Sequence, residues 1–274
     1  DKQSGLYFVP DKLHRLDHEG EHFQVRGPMT IRRSDQGRPI VVEAGQSEEG
    51  RELAGATAEV VFSVQQDLGE AQAYYQDIKA RAVKHGRDPG AINVMPGLMP
   101  VVGATRAEAE DKLQRVQDFI HPDLGLKRLS SILGSDLSDF DLDGPLPELP
   151  ASLEQAGRQQ VVIDMAKREN LTIRQLYERV VGIRAHRVIA GTAEDIADDM
   201  ENWQQAGAAD GFNILFLTYP GGIDDFIEGV IPILQARGLF RTEYEGMTLR
   251  ENLGLEAPAN RYTAARGAKA KRAG

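Results

Sequence analysis

Hydrophobic positions along the chain alternate between short, nearly continuous runs and longer stretches where they recur every three or four residues. RPIVVEAG (38–45), AEVVFS (58–63), INVMPGLMPVVG (92–103) and ADGFNILFL (209–217) are runs of the first kind, rich in branched residues, and each predicts a strand. The stretches between them predict helices. QSEEGRELAGATA follows the first run. Asp67 is placed to cap a long helix through DLGEAQAYYQDIKARAVKHG, which Gly86 and then Pro89 bring to an end. Thr105 and Glu108 have the spacing of a capping box for TRAEAEDKLQRVQDFI, and Thr192 is a cap for the helix within GTAEDIADDMENWQQAG. In PGGIDDFIEGVIPILQARGLF, the apolar residues Ile223, Phe226, Ile227, Val230, Ile231 and Leu234 keep helical spacing. A long insert precedes the brief extended piece RVIAG. It runs from HPDLGLKRLSSILG through an acidic, proline-rich loop to two helical segments, ASLEQAGRQQVVIDMAKREN and TIRQLYERVVGIRAH.

Strand followed by helix, four times over, with strands apolar on both faces, predicts an α/β fold whose parallel sheet is covered by helices. Periodicity leaves two architectures open, half of an eightfold barrel and a small open sheet.

Composition narrows the function more than the fold. Of 274 residues, 41% are hydrophobic and 27% charged, which is ordinary globular usage. No apolar run approaches the roughly 20 residues that span a bilayer, and DKQSGLYF has no signal-peptide core, so no membrane association is expected and the cytoplasm is the simplest compartment. The absence of cysteine removes disulfides, thiolate metal sites and cysteine nucleophiles together. A net charge of −10 argues against a nucleic-acid partner. Residues 256–274 form a basic tail with Arg261, Arg266, Lys269, Lys271 and Arg272, read as disordered, and residues 1–255 form the folded unit. The chain opens at Asp1, in a stretch that reads like the middle of a protein.

HRLDHEGEHF (14–23) places His14, His18 and His22 four apart, as a helical zinc site would require. Gly20 and the nearby Gly27-Pro28 interrupt such a helix, and Phe23 and Val25 alternate with polar neighbours. An exposed loop entering a short hairpin is the better reading, and no metal is expected. Parallel α/β folds place ligands beyond the carboxyl ends of their strands. There, Ala44, Gly45, Gln46, Ser47 and Gly50 form a strand-to-helix turn with a close-turning glycine, a capping hydroxyl and free first-turn amides, which suits a phosphate. The same composition also serves as a plain turn and cap. No G-x-G-x-x-G and no P-loop lysine is present, which disfavours a Rossmann or NTP site. Ser131, His186, Asn213 and Tyr219 are the polar candidates for lining a substrate pocket, and Arg184 and Arg187 are the cations considered for a carboxylate substrate. Each also has another reading open to it: local hydrogen bonds for His186, rim packing for Tyr219 and surface placement for the two arginines. No catalytic residue is assignable, since neither a serine–histidine–acid arrangement nor G-x-S-x-G occurs.

The ordered blocks DHEGEHFQVRGPMTI, RPIVVEAGQSEEGRELAGATAEVVFS, DLDGPLPELP, ENLTIRQLYERV, GTAEDIADDMENW, GAADGFNILF, PGGIDDFIEGVIPILQARGLFRTEYEG and TLRENLGL together resemble the carboxyl-terminal part of a group of flavin-dependent monooxygenases. This group includes nitrilotriacetate monooxygenase component A, dibenzothiophene-sulfone monooxygenase and pristinamycin synthase, within the bacterial-luciferase-like superfamily. The resemblance runs from about Asp1 to Leu255. It implies a (β/α)8 TIM barrel of which this chain covers the later half plus a helical insert. It implies reduced FMN supplied by a separate NAD(P)H:flavin reductase, with O2 and a small organic or xenobiotic molecule as substrates, and a homo-oligomer at full length. It maps the flavin-phosphate contact onto Gly45, Gln46, Ser47 and Gly50. Many relatives carry serine or threonine where this sequence has Gln46. As a half-barrel the chain is expected to bind FMN weakly or not at all and to expose apolar strand edges. Two other functions are carried alongside: deazaflavin-dependent hydride transfer, and a non-catalytic half-barrel that binds a partner through its open edges.

Overall fold

The structure is a computed structural model, and it describes residues 1–150, 156–183, 186–260 and 262. A five-stranded parallel sheet is built from β3 (Val42–Glu43), β4 (Val60–Ser63), β5 (Asn93–Val102), β6 (Arg187–Gly191) and β7 (Asn213–Ile214); β1 (His18–Glu19) and β2 (Gln24–Val25) form a separate antiparallel hairpin before it. The order is β3-β4-β5-β6, with β7 also pairing on β5. β5 is the organising strand. Its first residues run beside β4 (Val61↔Val94, Phe62↔Met95), its last beside β6 (Val101↔Ala190), and Gly97 and Leu98 meet Asn213 and Ile214 of β7. The sheet is open over the described residues, and its parallel strands and covering helices are those of an α/β barrel fold.

Helices α1 (Glu48–Thr57) and α2 (Leu68–Lys84) cover one face of β3–β5. Their core contains Ala54, Ala58, Tyr74, Ile78 and Ala82 against Val61, Ile92 and Val94. Asp67 caps α2 as expected, accepting from the Gly69 and Glu70 amides at 2.8 and 3.1 Å. The cap of α3 (Arg106–Gln117) differs in one partner from the predicted box: Thr105 accepts from the Glu108 amide, but the Glu108 carboxylate reaches the Ala104 amide at 3.0 Å. The insert folds as α4 (Pro122–Leu133), α5 (Ala156–Glu169) and α6 (Ile173–Ile183), with a core of its own around Leu129, Leu133, Leu137, Met165, Leu176 and Tyr177. α7 (Ala193–Gln205) starts with a full capping box between Thr192 and Asp195.

Four predicted elements change on folding. The first and last predicted strands shrink to two residues each, while RVIAG, read as a brief extension, becomes a sheet strand in its own right. The closing helix is interrupted: α8 (Gly221–Asp225) passes through a π turn, Phe226–Val230, into α9 (Ile231–Ala236). There the Ile231 amide reaches back five residues to the Phe226 carbonyl, and the following Pro232 has no amide with which to restore the regular ladder.

A short helix, α10 (Leu249–Asn252), is locked to the amino end of β4. Arg250, 1% exposed, donates to both carboxylate oxygens of Glu59 at 2.6 and 3.0 Å, and Glu59 also accepts from Arg38 at 2.9 Å and the Val41 amide at 3.0 Å. Burial works against the Glu59 charge, but these donors win and pull its pKa down to about 2. Beyond α10, the Tyr262 hydroxyl donates to the Arg15 carbonyl and its ring stacks on His14, 4.0 Å between centroids. Residues 261 and 263–274, most of the basic tail, lie outside the described residues.

Candidate functional site

The carboxyl end of β3 turns into α1 through Ala44–Ser47, and the turn is as tight as its glycines permit. A side chain on Gly45 would lie 2.8 Å from the Gly50 Cα, and one on Gly50 would lie 2.8 Å from the Gly45 Cα. Backbone therefore lies on backbone at both positions. Ser47 is the N-cap, its hydroxyl accepting from the Gly50 amide at 3.1 Å. The Gln46 amide donates to the Val64 carbonyl at 3.2 Å, tying the turn to the end of β4. The Gln46 side chain is therefore engaged in holding the turn in place.

Around this turn lie residues that sequence reasoning did not select. The Glu43 Oε1 accepts from the amides of Ala44 and Gly45, both at 3.1 Å. Arg51, on the next turn of α1, donates to Asp77 at 2.9 Å and to Glu48 at 3.3 Å. Arg81 also binds Glu48, and this hydrogen bond is the main reason the Glu48 carboxyl titrates below its ordinary range. Tyr74 of α2, 9% exposed, has no hydrogen-bond partner for its hydroxyl among the described residues. Burial raises its pKa to about 12, with Arg51 opposing and Asp77 and Glu43 reinforcing the shift. Glu43 is visible in the sequence as the only acid in its strand, but its pairing with the following amides depends on a backbone angle that no sequence pattern displays.

Strand register brings a second group together. Because Phe62 pairs with Met95, and Gly97 with Asn213, these four share the sheet face opposite α1 and α2. His186, 6% exposed, stacks on Phe62 with centroids 5.2 Å apart, and a side chain on Gly97 would strike the His186 ring at 2.4 Å. The Asn213 amide donates to the Met95 carbonyl at 2.8 Å. Thus His186 and Asn213, chosen from sequence, meet on one face, whereas Ser131 and Tyr219 lie elsewhere. Ser131 lines a groove of about 610 Å³ beside α4, together with Lys127, Ser135 and Asp136. Tyr219 is 73% exposed and packs edge-on against Phe216.

Arg187 is corrected outright as a candidate for carboxylate binding. Its guanidinium is clamped by both oxygens of Asp199 at 2.8 and 2.6 Å and lies 4.0 Å over the Trp203 ring. Arg184 lies outside the described residues. The three histidines of the amino-terminal stretch are not gathered: His18 is in β1, His22 lies in the hairpin turn and His14 stacks on Tyr262.

Comparison with known proteins gives this arrangement its setting. The chain is 50% identical over 262 residues to nitrilotriacetate monooxygenase component A of Aminobacter aminovorans, covering 95% of this chain and 58% of that protein. It is 48% identical to the N-acetyl-S-(2-succino)cysteine monooxygenase of Bacillus subtilis (strain 168), covering 95% and 60%. The chain thus spans a little under two thirds of the length of these curated relatives. Among solved structures, a riboflavin lyase crystallised with modified FMN and riboflavin superposes with a TM-score of 0.76 at 33% identity, covering 95% of this chain and 57% of that one. The family description "Luciferase-like monooxygenase" matches residues 12–210, and the chain belongs to that family.

Proposed function

We propose that this chain carries the flavin-phosphate seat and part of the pocket wall of an FMN-dependent, two-component monooxygenase. The observation that carries the reading is the mutual close approach of Gly45 and Gly50 at the carboxyl end of β3, with Ser47 capping the helix that follows. An anion resting there meets backbone amides at a helix start. Ser47 accepts from the Gly50 amide, so its own proton is available to a phosphate oxygen. Gln46 holds the turn against β4 and contributes no hydroxyl.

Reduced FMN, supplied by a separate flavin reductase, would bring the capacity to activate O2, and the protein would supply binding, orientation and dryness. The sheet face with Phe62, Met95 and His186 is suited to the last of these, because it is apolar and tightly stacked where a reacting ring must be kept from water. Asn213 spends its amide on Met95 and keeps its carbonyl oxygen as an acceptor. The substrate in this reading is a small organic molecule.

Titration with FMN, followed by flavin fluorescence, tests the assignment. Ser47→Ala should weaken binding about tenfold, the worth of one charge-assisted hydrogen bond. Equal binding by the variant would remove the turn from the flavin site.

A further inference from the structure

Two amides of the turn that would receive a phosphate are, in this structure, already occupied by an anion of the chain's own. Glu43 folds back so that Oε1 accepts from Ala44 and Gly45 together, and Oε2 takes no hydrogen bond among the described residues. Gly45 permits this as well as the approach to Gly50, since a side chain there would sit 3.2 Å from the Glu43 Oε1. A carboxylate held by consecutive amides occupies the place a phosphate oxygen would take, and it would repel any phosphate brought beside it.

The surroundings offer that carboxylate a second position. The Tyr74 hydroxyl is nine-tenths buried and unpartnered, a state that costs free energy in any interior, and Glu43 is in register with Val61, which shares a core cluster with Tyr74. The Nε of Arg51 is also buried without an acceptor. Two buried donors without acceptors, near a carboxylate with one oxygen unused, leave room for a second arrangement of that carboxylate.

We propose that Glu43 is a displaceable internal anion: it holds the Ala44 and Gly45 amides in the free protein and swings to the Tyr74 hydroxyl when a phosphate takes its place. The inference rests on the reading of the turn as a flavin-phosphate seat. It makes Glu43 a determinant of anion affinity and Tyr74 a positioning residue that acts through it.

The experiment uses the full chain and two probes, inorganic phosphate and FMN, with Glu43→Gln, Tyr74→Phe and the double variant measured by calorimetry. The amide resonances of Ala44 and Gly45 provide a readout independent of flavin. Glu43→Gln should bind both probes about tenfold more tightly, because the competing charge is gone. Tyr74→Phe should weaken binding about fivefold when Glu43 is present and by less than twofold in the Glu43→Gln background. Phosphate should shift the Ala44 and Gly45 amides in the unaltered chain. Unchanged or weaker binding by Glu43→Gln overturns the inference while leaving the phosphate seat intact, as does an equal loss from Tyr74→Phe in both backgrounds. If no form binds either probe, the seat itself is refuted and the inference falls with it.

Discussion

Replacing Glu59 by glutamine tests how the carboxyl-terminal segment is held. In the structure, Glu59 is 5% exposed and its carboxyl is drawn from 4.5 to about 2 by Arg250, Val41 and Arg38 against the penalty of burial. The folded-state pKa lies below the unfolded one, so the carboxylate contributes stability that is complete above pH 4.5 and is lost as pH falls through about 2. The full shift corresponds to about 3 kcal/mol at pH 7 and to about 1 kcal/mol at pH 3. Glutamine keeps the shape and one acceptor, leaves Arg250 buried without a counter-charge, and does not titrate. Urea unfolding of the two proteins should therefore show Glu59→Gln less stable at pH 7, with the gap narrowing by about 2 kcal/mol at pH 3. A gap of constant size at both pH values would mean that the carboxylate charge is not what holds α10 to β4, and that shape and hydrogen bonding alone secure the contact.

Two further substitutions test the framework of the site. Gly45→Ala places a methyl 2.8 Å from the Gly50 backbone, so it should lower stability by about 2 kcal/mol in denaturant titration and weaken FMN binding. Asp210→Asn cuts into a junction at which Asp210 accepts from the Val94 amide, the Lys79 ammonium and the Tyr75 hydroxyl. Burial, with help from Asp210, raises the Tyr75 pKa to about 12, and an ultraviolet titration of the variant should show this phenol ionising at lower pH.

Much of this frame is legible in the sequence because it is written in local chemistry. Asp67, Thr192 and Ser47 cap helices whose side-chain spacing announces them, and Val60–Ser63 and Asn93–Val102 form strands where apolar residues cluster. The glycine turn is legible for the same reason. What escapes depends on partners distant in the chain. Nothing in TLRENLGL reveals that Arg250 ends in a buried pair with Glu59, and nothing in RVIAG reveals that β5 has room for it. Gln46 and Arg187 stand out in the sequence for what they could offer a ligand, whereas folding commits one to Val64 and the other to Asp199. His186 and Asn213 come together only through the register of β5, which sets Gly97 beneath one and beside the other.

The central place of β5 also bears on how the chain is made. Its second half pairs with a strand that begins at Arg187, after the whole helical insert has been synthesised, a wait of several seconds at ribosomal rates of about 5–20 residues per second. For that interval a long apolar edge stands ready to recruit any passing strand. Pro96 and Pro100 lie within it, and neither has an amide to lend to such a ladder. The strand that gathers the sheet is thereby a poor template for the wrong partner while it waits for the right one.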